Sequence, residues 1–482
     1  MKEILIVLAL VLVTLPFNET TSRTIDLQPC DVAGIKDKVK CGTLEVFENR
    51  ASRKGRKITL KIVVAPATGT ERKKDPLFYI PGGPGSSATQ DAPGIVGILA
   101  KIREQRDLVF VDQRGTGGSN PLDCDLHDPN DPQSALEHFL PLNAVKKCRQ
   151  ELESKADLTL YTTPIAADDL DEVREALGYE QINVFGVSYG TRASLTFLKR
   201  HPKSVRAMIL QGVVPSGDYM PFDFARRSER ALQGVINECV GDSTCNAAFP
   251  NLRAEVTSVL ERLKQGPVEA EINVSPSGTA SQMAKIKLSR DLGAEAIRYM
   301  LYQAGGAARV PLIIHQAANG NFGPLAQQAF RFRKTLVSTA SNGMYLSVTC
   351  AEDLPWFKRS EAEKLAADTF LGDYRVRQQL EACELWPRAK VDINYAARNT
   401  SPVLLLTGEW DPVTPPSNAE SVARLLPNSL NVVVPQGGHG FGGLENIQCV
   451  QNLMATFIDQ GSTKGLDISC VKSIKRRPFL LK

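Results

Sequence analysis

Gln181-Ile182-Asn183-Val184-Phe185-Gly186-Val187-Ser188-Tyr189-Gly190-Thr191-Arg192-Ala193-Ser194-Leu195-Thr196-Phe197-Leu198 reads as a short apolar strand, a tight turn and a helix. The turn has the form G-x-S-x-G with Ser188 at its centre. A serine on a strand-to-helix turn is pushed out of the sheet with its hydroxyl exposed, so it is placed to act as a nucleophile. The flanking glycines suit the close approach of strand and helix backbones. An ordinary glycine-rich turn is the bland alternative, and the flanking strand and helix argue against it.

Outward from this turn the pattern repeats. Residues 57–67 alternate at first and read as a strand. Residues 76–80 and 107–112 form short apolar runs, each ending at a glycine-containing loop. Residues 165–177 carry apolar side chains at helical spacing, with Gly178 as a C-cap, and residues 206–212 give another strand. Strands alternating with helices predict a mostly parallel sheet with crossover helices. From about Val214 to Thr400 the pattern stops, and helical stretches dominate (224–240, 251–265, 291–304, 360–381). Strands return at 402–408 and 430–434. The expected organisation is a core in two parts, residues 23–214 and 401–482, interrupted by a mainly helical cap at 215–400.

Residues 1–22 are expected to be a signal peptide. The apolar run Ile4 to Val13 follows Lys2 and is short for a membrane span. Ten cysteines lie along the chain as five close neighbour pairs, with no C-x-x-C motif. Their even number supports export and local disulfides, so a secreted or periplasmic protein is expected. The 482 residues are 43% apolar and 23% charged, with a net charge of +4. That balance offers no case for nucleic acid, and the basic tail at 472–477 reads as a solvated end. No stable membrane association is expected after signal cleavage.

A serine hydroxyl needs a base, and the base needs an orienting acid. The five histidines are His127, His138, His201, His315 and His439. His439 alone lies past the last strand between glycines, and it is the candidate base. His201 ends a helix before Pro202, where a cation suits the helix dipole. Asp411, in the loop after strand 402–408, is the candidate acid, with Glu409 as its nearest rival. The oxyanion donors expected are the backbone N–H of Tyr189 and that of Gly83 in Pro81-Gly82-Gly83-Pro84-Gly85, with Gly82 as second choice. No metal or organic cofactor is expected for this chemistry.

Gly82-Gly83-Pro84-Gly85, Asp112-Gln113-Arg114-Gly115-Thr116-Gly117-Gly118-Ser119 and Gly186-Val187-Ser188-Tyr189-Gly190-Thr191-Arg192 resemble the proline iminopeptidase and tripeptidyl aminopeptidase branch of the α/β-hydrolases. Gly408-Glu409-Trp410-Asp411-Pro412-Val413-Thr414-Pro415-Pro416 and Gly438-His439-Gly440 are similar to the tripeptidyl aminopeptidase-like C-terminal region. The resemblance spans roughly residues 40 to 470 and implies an α/β-hydrolase fold with a cap. Pro81 departs from it, since the iminopeptidases usually have histidine there, which weakens strict proline specificity. The long insertion fits the tripeptidyl group better.

The resemblance implies a serine exopeptidase that acts near a free peptide N-terminus through an acyl-enzyme. Such an enzyme binds an ammonium group, usually with cap carboxylates, and Glu352 and Asp353 are the candidates, expected on a rim facing the site. Arg114 is expected to anchor loops rather than to touch substrate. An esterase with the same triad is the chief alternative. A binding protein that keeps the scaffold is a second. An epoxide or haloalkane hydrolase would carry aspartate in place of Ser188.

Overall fold

A computed structural model describes residues 24–128, 130–275, 282–356, 358–392, 394–395 and 398–482. The expected signal peptide lies outside the described residues. The strands of three or more residues are β1 (Gln28–Cys30), β2 (Val39–Phe47), β3 (Lys57–Ala65), β4 (Leu77–Ile80), β5 (Leu108–Val111), β6 (Ile182–Val187), β7 (Val205–Gln211), β8 (Val268–Asn273), β9 (Met283–Leu288), β10 (Val403–Gly408) and β11 (Ser429–Val434). Nine of them form one sheet in the order β1-β2-β3-β5-β4-β6-β7-β10-β11. β1, β2 and β3 join antiparallel, β3 meets β5 antiparallel, and every pairing from β5 to β11 is parallel.

The parallel strands are short and apolar because both faces of the sheet are covered. Along β10, Val403 and Leu405 pack into the core on one side, and Leu404 and Leu406 into the core on the other. β3 divides in the same way, with Ile62 and Val64 on one face and Val63 and Ala65 on the other. That alternation is the two-residue period of a strand. The helix Thr163–Ala176 precedes β6 and packs on the elbow helix Tyr189–Arg200, which follows it.

Between β7 and β10 the chain leaves the sheet. It forms helices such as Phe224–Gly241, Leu252–Lys264, Arg290–Met300 and Gly323–Thr339, together with a separate antiparallel hairpin of β8 and β9. Sequence periodicity missed this hairpin because its strands have one wet face and supply only alternate buried residues, such as Ala270, Ile272, Ile286 and Leu288. The helical stretch read at 360–381 is two helices, Arg359–Ala366 and Tyr374–Glu384. Gly372, at φ 68°, lies in the turn between them, a conformation that costs glycine little.

The ten cysteines pair as neighbours: Cys30–Cys41, Cys124–Cys148, Cys239–Cys245, Cys350–Cys383 and Cys449–Cys470. Such bonds suit an oxidising compartment. Among the described residues, no helix is long and apolar enough to cross a membrane.

A buried arginine ties the sheet to its loops. Arg114 is fully buried, forks onto Asp169 at 2.6 and 2.8 Å, and also donates to the carbonyls of Glu48 and Leu160. It anchors loops, as the sequence suggested. His201 caps the elbow helix and lies 2.9 Å from Asp168 and 3.1 Å from Asp171. Burial works against its charge, but these two carboxylates outweigh it and push the imidazole up to about 9.

His201 therefore binds its proton more tightly in the folded state than in the unfolded one. Its stabilising contribution is complete below the ordinary value of 6.5 and is lost as pH rises towards about 9. The melting temperature is expected to fall across that window in wild type, and less steeply in His201→Gln. Calorimetry at several pH values checks this, and parallel profiles would remove His201 as the cause.

Candidate active site

Ser188 stands between the end of β6 and the elbow helix with φ 56° and ψ −123°. A non-glycine residue in that region is strained, and it persists only where the surroundings hold it. They do so here: the Ser188 N–H donates to the Gln211 carbonyl at 2.8 Å, and the Thr191 N–H returns a bond to the Ser188 carbonyl at 2.8 Å. A Cβ on Gly190 would collide with the Ile80 carbonyl. The glycine after the serine is thus required by the close passage of β4.

The loop Pro81–Gly85 runs against the serine. A Cβ on Gly82 would stand 3.2 Å from the Ser188 Cβ, and Gly83 sits at φ 112°. Tyr189 is the first residue of the elbow helix, where N–H groups have no partner within the helix.

Asp411 lies in the loop after β10 and is fully buried. Its Oδ1 accepts the N–H groups of Val413 and Thr414, both at 2.8 Å, and its Oδ2 accepts the Thr414 hydroxyl at 2.6 Å. The same Oδ2 lies 2.8 Å from Nδ1 of His439, in the loop after β11. Burial pushes the Asp411 carboxyl up, but His439 and the Thr414 bonds outweigh it and hold it below the usual carboxylate range. An ionised Asp411 keeps the imidazole proton on Nδ1 and leaves Nε2 as the acceptor. Glu409 is elsewhere engaged, accepting the Gln436 N–H at 2.9 Å.

Sequence reading missed the contribution of the insertion to this histidine. Tyr302 meets the His439 ring edge to face at 5.1 Å between centroids. The Gly440 N–H donates to the Tyr302 carbonyl at 2.8 Å, and the Gly442 N–H to Gln303 Oε1 at 2.7 Å. The expected helix 291–304 in fact ends at Met300, and the chain just beyond it clasps the histidine loop. No local motif announces such a contact.

Ser188, His439, Gly82 and Gly83 share one cavity of about 370 Å3. Its walls include Tyr79, Asp91, His127, Phe139, Arg298, Tyr299, Tyr302, Arg333, Tyr345 and Arg375. Burial and the nearby Arg333 bring the His127 imidazole down to about 4, so it is neutral at ordinary pH. Asp91 accepts the Tyr79 hydroxyl at 3.0 Å. Burial raises its carboxyl, although the Tyr79 bond opposes this.

The structure places Glu352 and Asp353 away from the expected rim. Both are buried, at 1% and 0% exposure, and neither is among the residues around the cavity. Glu352 accepts the Thr163 N–H at 2.7 Å and the Thr163 hydroxyl at 2.8 Å, and Thr163 in turn meets the Tyr189 hydroxyl at 2.8 Å. Asp353 accepts Nη2 of the buried Arg192 at 2.7 Å and the Met220 N–H at 3.2 Å. The pair braces the elbow helix from beneath. An acidic pair looks alike in sequence whether it caps a surface or satisfies a buried arginine.

Two family models match the chain: the alpha/beta hydrolase fold over residues 75–271 and the TAP-like protein model over residues 368–470. A tripeptidyl aminopeptidase of Streptomyces coelicolor is 26% identical over 91% of this chain and 84% of its own length. The chain is an α/β-hydrolase, and these matches support the tripeptidyl aminopeptidase and proline iminopeptidase branch. The serine protease Hip1 of Mycobacterium tuberculosis is 26% identical over 93% of this chain and 91% of that protein. A proline iminopeptidase of Neisseria gonorrhoeae is 27% identical over 29% of this chain and 32% of its own. The first family model covers the elbow, and the second covers Asp411 and His439. This α/β-hydrolase is an enzyme.

Proposed function

We propose that this α/β-hydrolase is an exported serine exopeptidase that cleaves peptides near a free N-terminus through a Ser188–His439–Asp411 triad. The observation that carries the reading is the strained serine sharing one cavity with a histidine whose Nδ1 is held by a buried carboxylate. His439 Nε2 takes the Ser188 proton as Oγ attacks the scissile carbonyl. The N–H groups of Tyr189 and Gly83 receive the oxyanion, each worth about 3 kcal/mol. His439 then protonates the leaving amine, and a water that gives its proton to the same base attacks the acyl-enzyme, freeing the acid and returning the proton to Ser188 Oγ.

Asp91 takes the place of Glu352 and Asp353 as the partner of a substrate ammonium. Among the described residues it is the one carboxylate in the cavity wall, and an entering ammonium would keep it ionised. The names of the relatives and the covered site support a peptidase over an esterase, and the five disulfides support export.

The test sets N-terminally free peptidyl anilides against their acetylated forms and against short acyl esters. Free-amine peptides should be turned over at least about tenfold faster in kcat/KM, the effect of one charge contact of about 1.4 kcal/mol. Equal rates for free and acetylated peptides would remove the exopeptidase reading. Turnover of esters alone would favour the esterase.

A further inference from the structure

Three arginines stand in the wall of the cavity that holds Ser188: Arg298, Arg333 and Arg375. All are buried, at 1%, 3% and 6% exposure, and among the described residues Glu295 is the carboxylate that forms ion pairs with them, to Arg298 and Arg375. Arg298 is satisfied. Its Nε donates to Glu295 at 2.6 Å, and its two terminal nitrogens donate to the hydroxyls of Tyr302 and Tyr299 at 2.9 and 2.6 Å. Arg333 donates to the carbonyls of Ala135, Glu137 and His138, so it meets no counter-charge there. Burial and the neighbouring Arg375 bring the Arg333 guanidinium down to about 10, which still leaves it charged at neutral pH.

Arg375 differs from the other two. Its Cζ lies 3.5 Å from the centre of the Phe139 ring, and its Nε lies 3.3 Å from Glu295 Oε1 without forming a hydrogen bond. Its Nη1 has no hydrogen-bond partner either. A buried guanidinium without hydrogen bonds on Nε and Nη1 is costly, because its one ion pair, to a Glu295 shared with Arg298, offsets only part of the desolvation. Three cations against one carboxylate leave the end of the cavity with excess positive charge. A planar fork with open donors matches a carboxylate, which it can bind with two parallel bonds.

The geometry points to a carboxylate subsite at Arg375, supported by Arg333, which makes this enzyme selective for peptides carrying an acid group within reach of Ser188. The inference rests on the peptidase reading above. The acid group has two sources: the side chain of a glutamate or aspartate, or the C-terminal carboxylate of a short peptide.

Paired substrates separate them. Free-amine peptidyl anilides with Glu or Gln at each position carry no C-terminal carboxylate, whereas neutral tripeptides offered as acids or as amides carry no acidic side chain. One of the two comparisons should favour the acid at least about tenfold in kcat/KM, the usual weight of a charged hydrogen bond. The preference should fall to near unity in Arg375→Gln and return in part in Arg375→Lys. Because the ratio is read within each variant, loss of folded enzyme cancels.

A second measurement does not depend on peptide turnover. Glutarate should slow fluorophosphonate labelling of Ser188 in wild type more than glutaramide does, and should lose this advantage in Arg375→Gln. Equal treatment of acid and amide in every pair, or a preference unchanged in Arg375→Gln, would overturn the subsite. Failure to cleave any free-amine peptide, with glutarate protection intact, would instead overturn the peptidase reading and leave the subsite standing.

Discussion

Ser188→Ala is expected to lose all fluorophosphonate labelling and to lower kcat on a free-amine peptidyl anilide by about 10⁶-fold, the usual cost of removing a triad nucleophile. The fold should survive, because the elbow is held by backbone bonds from Ser188 to Gln211 and from Thr191 back to Ser188, which alanine keeps. A residual rate about 10³-fold above water is expected from binding and the oxyanion donors alone. Labelling or turnover that persists in the variant would move the nucleophile elsewhere and remove the proposed mechanism.

Asp411→Asn carries the second large effect. The amide would still fit among the N–H groups of Val413 and Thr414, but it no longer carries a charge. It would favour the imidazole tautomer with its proton on Nε2, facing the serine, where it cannot accept the Ser188 proton. A fall of about 10⁴ in kcat is expected near neutral pH, with a parallel fall in the rate of fluorophosphonate labelling. KM should change far less, since Asp411 is buried behind His439 and meets no substrate. A loss confined to KM, or a loss under tenfold, would mean that His439 is oriented by something else, with Thr414 at 3.1 Å from its Nδ1 the next candidate.

These two expectations began in the sequence. The apolar runs at 76–80, 107–112, 206–212 and 402–408 are legible because a parallel strand buried on both faces must be apolar throughout. The order of serine, aspartate and histidine in the loops after those strands follows from the same topology. The hairpin of β8 and β9 was not legible, because a half-wet strand gives only a weak alternation. Asp91 and Arg375 were not legible either. Each lies on a helix, Ala88–Ile98 and Tyr374–Glu384 respectively, where a charged residue usually faces water. The meeting of distant segments places these two in the wall of the cavity that holds Ser188.

Glu352 and Asp353 mark the boundary most clearly. Their spacing and charge are properties of a short segment, but their role is set by Arg192 and Thr163, which come from other helices. The sequence alone determined what local forces control: a mostly parallel sheet, a serine on a tight strand-to-helix turn, the candidate acid and base in the loops beyond it, and neighbouring cysteines close enough to pair. Tertiary structure decided which charges face the cavity and which are consumed in holding it up. The reason is that burial and pairing, which give a charged group its function, depend on partners far apart along the chain.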